Sequence, residues 1–421
     1  LPPLNRVKSG HATEGRAARP ASRRGTVRMY RVTLMNLKED FNCFEQGPIR
    51  PPSEARSLLI RATRNCPWNR CAFCHTYQGE TFSLRPEAEI KADILKMAET
   101  AERIRALSLR CGEGGCVGER TIHRIFNQAE NDEGCFQSVA AWLYYGGGSV
   151  FLQDANSLIM KTDDLAEVIS FICKTFSSVT RITTYARAKT AAKKTVEELK
   201  CLREAGLSRI HVGMESGYDP LLKFIRKGAT SAEQIEGGQK IREAGLSLCE
   251  YVMPGLGGVR WTREHAVETA RVLNRINPDH IRLRTLQAVP GTPLAEKIRQ
   301  GEFQPLDDEE ILREIRLFIE TLEGIETMVV SDHILNLLEE LEGKLPDDRE
   351  RLLGIIDRFF ALPAEERMIF RLGRRMGPYR RLDDLADEGR KIRFKGILDG
   401  YCAKDPLELE RDIAEIRSRY I

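Results

Sequence analysis

Three cysteines lie within nine residues of one another, in the run Cys66-Pro-Trp-Asn-Arg-Cys71-Ala-Phe-Cys74-His75. Cysteine thiolates bind zinc and iron–sulfur clusters, so three of them on one loop can supply three corners of a metal site. Three unrelated thiols are the least favoured interpretation of this spacing. A zinc site would use His75 as its fourth ligand, but adjacent residues rarely reach the same small ion. An iron–sulfur cubane with one iron free of protein ligands fits the run best, because that iron can bind a small molecule.

Polar or glycine-rich groups lie at or just after the end of each of six predicted strands. In parallel β/α architectures the carboxyl ends of the strands meet at one edge, where active sites are built. The sequence therefore predicts an active site formed by these strand ends. The groups are Asn65 and Cys66; Asp154 and Asn156; Tyr185 and Arg187; Glu215 and Ser216; Pro254-Gly-Leu-Gly-Gly258; and Arg284, Thr285 and Gln287.

Short apolar runs rich in β-branched residues alternate with longer helical patterns. Such alternation predicts parallel strands joined by right-handed helical crossovers. Six β/α units are fewer than the eight of a full barrel, so a partial barrel and a doubly wound sheet both remain open. The predicted strands are Ser57–Ala62, Val150–Asp154, Arg181–Tyr185, Arg209–Met214, Leu248–Met253 and His280–Leu286. The predicted helices are Pro86–Arg105, Asp163–Lys174, Thr195–Ala205, Ala232–Ala244 and Thr262–Ile276.

An internal repeat supports this alternation. The segment Arg203-Glu-Ala-Gly-Leu-Ser208 recurs as Arg242-Glu-Ala-Gly-Leu-Ser247. In each copy we expect a helix to end at the glycine, in a left-handed conformation, and a strand to follow at once.

The chain beyond Phe303 has an almost wholly helical pattern, so we predict a small helical domain over residues 304–421. In this region Asp332 would cap a helix, or else His333 would face the barrel mouth and contact substrate. The predicted helices are Asp307–Leu322, Asp332–Leu338, Asp347–Phe360, Pro363–Arg374 and Leu407–Arg417.

The three-cysteine loop after the first strand of a six-unit β/α domain resembles the radical SAM superfamily, and Phe73 immediately before the last cysteine adds to the resemblance. The first gap holds one residue more than the common C-x3-C-x2-C spacing. The resemblance covers roughly residues 50–300, and no separate B12-binding domain is expected ahead of the barrel. Segments 209–217, 225–228 and 289–294 are similar to the branch that includes oxygen-independent coproporphyrinogen oxidase-like and B12-type Fe–S oxidoreductases.

The resemblance implies an α/β fold: a partial (β/α)6 TIM-like barrel over residues 29–303 with the helical domain after it. It also implies an oxygen-sensitive enzyme with a [4Fe–4S] cluster and S-adenosylmethionine (SAM). Reductive cleavage of SAM would give methionine and a 5′-deoxyadenosyl radical that abstracts hydrogen from a small-molecule substrate. A flavodoxin or ferredoxin would supply the electron. The alternatives are a tRNA-modifying member of the superfamily and, from another class, a zinc-binding module without catalysis.

The resemblance also implies roles for individual residues of this chain. Cys66, Cys71 and Cys74 would hold the cluster, and Phe73 and His75 would flank the adenine. Asp154 or Asn156 would replace the Gly-Gly-Glu-type motif that meets the SAM amino group in the superfamily. The remaining implied SAM contacts are Arg187 for the carboxylate, Glu215 and Ser216 for the ribose or methionyl group, and Gly255 and Gly257 for close backbone approach to the adenine.

The charge of the chain is unevenly distributed. The 421 residues carry a formal net charge of +3, but residues 1–28 hold seven Arg or Lys against the single acid Glu14, so the other 393 residues carry −3. An anionic folded part argues against nucleic-acid binding. We expect residues 1–28 to be disordered. An overlong start is the favoured origin, since Met29 looks like a better beginning, and an RNA-binding arm is the less favoured alternative. The chain shows neither a membrane-spanning stretch nor a signal peptide, so we expect a cytoplasmic protein.

Eleven cysteines in such a chain favour free thiols and metal ligation over disulfides. Cys111, Cys116 and Cys135 lie in a long insertion before the second strand of the barrel. With Cys43 they would form an auxiliary metal site, but free thiols are favoured because no paired C-x2-C occurs among them.

Overall fold

The computed structural model describes residues 43–127, 134–402, 411–413 and 415–416. The basic segment 1–28 lies outside the described residues. The strands are β1 Leu58–Arg61, β2 Thr63–Arg64, β3 Ser83–Leu84, β4 Ser149–Gln153, β5 Arg181–Ala186, β6 Leu207–Glu215, β7 Ser247–Val252, β8 His280–Leu283, β9 Thr327–Val330 and β10 Gly343–Leu345. The helices are α1 Glu87–Arg110, α2 Glu119–Asn127, α3 Gly134–Tyr144, α4 Thr162–Thr175, α5 Ala188–Lys193, α6 Val196–Ala205, α7 Asp219–Phe224, α8 Ser231–Glu243, α9 Gly258–Ile276, α10 Pro293–Arg299, α11 Asp308–Thr321, α12 Arg349–Ala361, α13 Ala364–Met376 and α14 Glu388–Cys402.

One sheet organises the chain, in the order β1-β4-β5-β6-β7-β8-β9-β10. Every neighbouring pair is parallel except β9 and β10, which pair antiparallel at the edge. The first six strands of this order, with their crossover helices, form a partial (β/α)6 barrel, and all six carboxyl ends lie at one mouth. Separately, β2 and β3 pair antiparallel and close the base of the loop that carries the three cysteines.

The predicted β/α alternation is confirmed. All six predicted strands and the five helices between them are present, with ends that differ from the predictions by a few residues. Both copies of the repeat also behave as expected, because Gly206 and Gly245 take positive φ values of 123° and 76° and a strand follows each. Glycine adopts such values without the steric cost that a Cβ atom would add.

The segment beyond Phe303 differs from its prediction in three ways. Helix α14, over Glu388–Cys402, was not among the predicted helices. The helix predicted over Asp332–Leu338 is absent; these residues form a loop whose shape is set by the buried Asn336 side chain, which bonds to Leu283 and Ser331. Strands β9 and β10 join the barrel sheet, although the sequence pattern predicted only helices there. Helices α11, α12 and α13 are where they were predicted, and the helix predicted over 407–417 lies mostly outside the described residues. The boundary at 303/304 stays a prediction.

Cys43 and Cys135 form a disulfide, with their Cα atoms 5.9 Å apart. The prediction of free thiols is therefore wrong for this pair, because the fold brings together two residues that are far apart in the sequence. Cys111 and Cys116 are free thiols, as favoured. Among the described residues, no group of three or more His, Cys, Asp or Glu is arranged to hold a single metal ion. In the same part of the chain, no helix is both long and apolar enough to cross a membrane.

Helix α8 packs closely against α5 because Gly237 lacks a side chain. A Cβ atom there would lie 2.6 Å from the Ala188 carbonyl oxygen and 3.1 Å from the Ala192 nitrogen. On α12, by contrast, a Cβ atom at Gly354 would meet no atom within 4 Å.

We therefore expect opposite effects from two Gly→Ala substitutions. Gly237→Ala should lower the free energy of unfolding by about 2 kcal/mol or more, because backbone atoms must shift. Gly354→Ala should raise it by up to about 1 kcal/mol, since alanine is the better helix former. Urea unfolding of both variants measures the difference. A stable Gly237→Ala variant would contradict the close helix contact.

Candidate active site

The cysteine loop is fixed by its backbone conformation and by contacts to the barrel. Asn65 and Asn69 adopt positive φ values of 66° and 45°, which asparagine tolerates better than most residues. The Asn69 amide donates to Cys66 Sγ over 3.4 Å. The Ala72 amide donates to the Ile225 carbonyl over 2.8 Å. A backbone amide of the loop thus bonds to one of its own sulfur atoms, and the loop is attached to the segment that follows α7.

A cavity of about 670 Å³ opens at the carboxyl ends of the strands. Its volume lies within the range of small-molecule and cofactor sites. The cavity brings together most of the residues predicted for the cofactors. Of these, Cys66, Cys71, Phe73, Cys74, His75, Arg187 and Glu215 line it.

The donor set fits an iron–sulfur cluster. The three thiols are free and lie close enough that the Cys66 and Cys74 thiolates each act electrostatically on Cys71. Burial raises the pKa of Cys71 to about 11, while the nearby Lys227 ammonium lowers it. Metal binding deprotonates cysteine ligands, so a buried cation beside the cluster site favours the charged form.

Lys227 and Glu215 form a buried ion pair in the cavity wall, with Nζ and Oε1 2.9 Å apart. Burial alone would lower the pKa of Lys227, but Glu215 and the Cys71 thiolate raise it above its ordinary value. Gly213 makes room for the pair, since a Cβ atom there would lie 2.5 Å from Glu215 Oε1 and 3.1 Å from Lys227 Nζ. Glu215 itself has a φ of 66°, which turns its carboxylate into the cavity at the end of β6.

Arg187 is half-buried at the end of β5. Its guanidinium donates to the carbonyl oxygens of Lys227 and Gly228 over 3.0 and 3.2 Å and lies 5.0 Å from the centre of the Trp68 ring. Burial lowers the pKa of Arg187, whereas Cys66 and Cys71 raise it. The guanidinium is therefore held beside the cysteine loop by groups that leave it charged.

Asp154 and Asn156 follow β4 but are not among the residues that line the cavity, where Gln153 and Ala155 lie instead. The buried Asp154 carboxylate accepts from Arg61 Nε over 2.8 Å and from the Asn65 amide over 3.0 Å. Asn156 accepts from the Arg187 amide over 3.1 Å. Both side chains thus position neighbours of the site, and direct contact with SAM stays a prediction.

Ser216, Gly255 and Gly257 also lie outside the cavity lining. Ser216 Oγ is 2.9 Å from His265 Nδ1, and His265 Nε2 is 3.0 Å from the Met253 carbonyl oxygen. Gly255 has a φ of 86°, and its amide donates to Glu314 over 2.7 Å. The glycine turn is thereby tied to α9 and α11, and its approach to the adenine stays a prediction.

Aromatic rings line the inner part of the cavity. Tyr185 and Tyr251 both contribute, with ring centres 6.4 Å apart, and His211 packs about 6 Å from each. The buried Tyr251 hydroxyl has no hydrogen-bond partner among the described residues. Burial raises the pKa of Tyr251 far above its ordinary value, so the hydroxyl remains a donor.

Sequence reasoning assigned no role to three residues of the site: Lys227, Gln153 and Tyr251. Lys227 lies in segment 225–228, which carries part of the family resemblance. The spacing of the two residues in the sequence does not predict that Lys227 pairs with Glu215. Gln153 bonds through its side chain to Gly47 and Ile49, and all three residues line the cavity. Alternation along β7 does indicate that Tyr251 and Met253 share a face, and both line the cavity.

Glu314 is a buried carboxyl that titrates near neutrality. Burial raises its pKa from 4.5 to about 7, although hydrogen bonds from the Gly255 amide and the Thr262 hydroxyl lower it. Between these two pH values the unfolded chain releases the proton and the folded protein retains it. The free energy of unfolding therefore falls as pH rises through this window, by roughly 3 kcal/mol at about 1.4 kcal/mol per tenfold change in proton affinity.

Glu314→Gln should remove this decrease while keeping an oxygen for the Gly255 amide. Urea unfolding from pH 5 to pH 8 measures the free energy of unfolding of wild type and variant. The control is Glu323→Gln, which changes an exposed residue just after α11. His265, whose pKa burial lowers to about 4, acts in the opposite direction below pH 6.5, and its Nε2 lies 3.7 Å from Glu314 Oε1. The decrease above pH 6.5 is therefore the part of the curve that reports on Glu314. Parallel pH curves for the two proteins would contradict the assignment.

Comparison with known proteins gives partial matches. The chain is 26% identical over 194 residues to biotin synthase of Clostridium botulinum (strain Loch Maree / Type A3), covering 44% of this chain and 58% of the relative. It is 26% identical over 120 residues to the tRNA uridine(34) acetyltransferase of Methanocaldococcus infernus, covering 28% of this chain and 22% of the relative. The chain thus spans less than two thirds of the length of these relatives.

Solved structures show similar partial likeness. Methylornithine synthase matches with a TM-score of 0.37 and 16% identity, over 73% of this chain and 82% of that chain. Coproporphyrinogen III oxidase from Escherichia coli matches with a TM-score of 0.38 and 14% identity, over 60% of this chain and 50% of that chain.

The sequence pattern of the radical SAM superfamily matches residues 60–273, just over half of the chain. The matched region begins within β1 and ends within α9, so it contains the cysteine loop and every cofactor-site residue described above. The chain belongs to the radical SAM superfamily and is an enzyme that uses a [4Fe–4S] cluster and SAM.

Proposed function

We propose that this enzyme uses its cluster and SAM to abstract a hydrogen atom from a small-molecule substrate bound in the same cavity. The observation that carries the proposal is the convergence of three free thiols, a buried Lys–Glu pair and a half-buried arginine on one cavity of about 670 Å³. When bound, a reduced [4Fe–4S] cluster supplies the electron that cleaves SAM to methionine and a 5′-deoxyadenosyl radical.

The residues of the chain hold and orient the cofactors. Cys66, Cys71 and Cys74 would be the cluster ligands, and Lys227 would offset part of the negative charge of their thiolates. Phe73 lines the cavity between two of these cysteines in the sequence, and Lys227 Nζ lies 5.9 Å from the centre of its ring. An aromatic face at this position would pack against the adenine, with the exposed His75 on the other side.

Charged groups would bind the methionyl end of SAM. Arg187 presents a guanidinium that suits a carboxylate, because its fork of N–H donors matches two carboxylate oxygens. Glu215 would accept from the ribose hydroxyls or the amino group, and the ion pair with Lys227 holds its carboxylate in place. Both groups are preorganised by protein contacts, so little ordering remains when SAM binds.

The exposed surface of the cysteine loop provides an entrance for the electron. His75, Gln78, Gly79 and Glu80 are exposed on the loop that holds the predicted cluster ligands. A flavodoxin or ferredoxin would dock there. Such a low-potential donor, together with the free thiols of the cluster loop, fits a cytoplasmic enzyme.

A second candidate function is tRNA modification. It is favoured by the match to the archaeal tRNA uridine(34) acetyltransferases, which are 25–26% identical to this chain over some 120 residues. The anionic balance of residues 29–421 argues against it, because phosphate contacts need a basic face.

Replacing a predicted cluster ligand should abolish the cluster. Anaerobically reconstituted and reduced wild type should show a [4Fe–4S] electron paramagnetic resonance signal that shifts when SAM is added. Cys71→Ala should lose the signal, whereas Cys201→Ala, which removes an exposed free thiol on α6, should keep it. A colourless wild-type protein that holds zinc and shows no SAM-dependent signal would overturn the radical function and support a zinc-binding module.

Filter binding with unfractionated tRNA separates the two candidate functions. For a small-molecule enzyme we expect no tighter binding to tRNA than to a DNA duplex of similar length at about 0.15 M salt, where non-specific phosphate contacts are weak. A preference for tRNA of tenfold or more would favour the tRNA-modifying function.

A further inference from the structure

The cavity lining includes a cation, Arg284, at the carboxyl end of β8. Arg284 follows β8, the sixth strand of the barrel, whereas the cysteines follow β1, the first. Its side chain is exposed to solvent and lines the cavity. Throughout the described ranges, the Arg284 guanidinium forms no ion pair and no hydrogen bond. It is therefore available to a ligand.

The cavity lining holds more cationic side chains than carboxylates. Four cations line it, namely Arg50, Arg187, Lys227 and Arg284, while Glu215 is the only carboxylate among the described lining residues. Lys227 is neutralised by Glu215, and Arg187 is held against backbone carbonyls beside the cysteine loop. Arg50 and Arg284 are thus the two lining cations outside the groups proposed to hold the cluster and SAM.

The backbone that carries Arg284 is fixed on both sides. The Arg284 amide donates to the Val252 carbonyl over 2.9 Å. The Asn336 side-chain oxygen accepts from the Thr285 amide and hydroxyl over 3.0 and 2.9 Å, and its nitrogen donates to the Leu283 carbonyl over 2.8 Å. Both residues that flank Arg284 are therefore clamped by one buried side chain. A rigid support of this kind is typical of a binding residue and unnecessary for a solvated surface arginine.

The loop that contains Asn336 is itself fixed by buried arginines. Arg374 donates to the Asn336 carbonyl over 3.1 Å, and Arg375 donates to the Leu335 carbonyl over 2.9 Å. Leu335 lines the cavity on the same side as Arg284. The cavity wall at the end of β8 is therefore held in place by buried hydrogen bonds. No residue of this wall is assigned to SAM.

We propose that Arg284 binds an anionic group of the substrate, a carboxylate or a phosphate, at the β8 side of the cavity. The inference rests on the proposed function, because it assigns a chemical class to the substrate of that site. A guanidinium fork donates two parallel hydrogen bonds to either group. The rings of Tyr185 and Tyr251 line the neighbouring wall for the rest of the substrate, and the unpartnered Tyr251 hydroxyl can donate one further hydrogen bond.

The test measures anion binding to the reconstituted holoenzyme with SAM bound, so that the SAM carboxylate already occupies its own site. Inorganic phosphate and malonate are titrated separately by calorimetry at constant ionic strength. Preferred binding of phosphate indicates a phosphorylated substrate, and preferred binding of malonate indicates a carboxylic acid. Failure of both anions to bind to the wild type overturns the proposal.

Variants locate the binding group. Arg284→Gln should weaken the preferred anion at least tenfold, and Arg284→Lys should weaken it less, because it keeps the charge but loses the fork. Arg263→Gln, an exposed change on α9 outside the cavity lining, should bind like wild type. Equal binding by wild type and Arg284→Gln, or a larger loss in Arg50→Gln, overturns the assignment.

The proposed function can be judged separately in the same samples. Arg284→Gln should retain the cluster signal, its shift with SAM and slow formation of 5′-deoxyadenosine without substrate. Loss of anion binding together with these retained properties supports the proposal. Absence of the cluster signal from the wild type would instead refute the proposed function, whatever the anion titrations show.

Discussion

The arrangement of the site depends on the short segment 225–228, which follows α7. Its backbone carbonyls accept hydrogen bonds from the Ala72 amide, from the Trp68 indole and from Arg187, and its Lys227 side chain forms an ion pair with Glu215. The segment therefore joins the cysteine loop to the ends of β5 and β6. Gly228 permits the contact, since a Cβ atom there would lie 2.3 Å from the Trp68 ring.

The buried Lys227–Glu215 pair at the centre of this arrangement is not explained by stability. Removing two charges from water costs free energy that their attraction often fails to recover, so an apolar pair would serve the fold as well. The pair has chemical value instead, because it places a cation beside the three predicted cluster ligands and a carboxylate acceptor in the same wall. Lys227 therefore links the cysteine loop and Glu215 electrostatically.

The sequence predicted the β/α units and the residues at their strand ends better than it predicted which side chains contact one another. Hydrophobic periodicity and the repeat at 203–208 were sufficient for the six β/α units, since each unit is determined by residues close together in the chain. Partners far apart in the sequence were missed: Glu215 for Lys227, Arg61 for Asp154, and Cys135 for Cys43. Asp154 is an example. Its position at a strand end was correctly predicted, but its carboxylate contacts Arg61 and does not line the cavity. Residue type and strand-end position do not determine which way a side chain turns.

The two sides of the cavity differ in which parts of the chain build them. The residues proposed to hold the cofactors lie at the ends of β1, β5 and β6 within the matched family region, whereas Arg284 and Leu335 lie beyond residue 273, where that match ends. The Asn336 clamp joins β8 to the loop between β9 and β10, which the sequence pattern had predicted as a helix. A family-wide reaction needs a constant cofactor side, while each substrate needs its own recognition groups. Segment 331–338 and the end of β8 are therefore where the specificity of this enzyme should be sought.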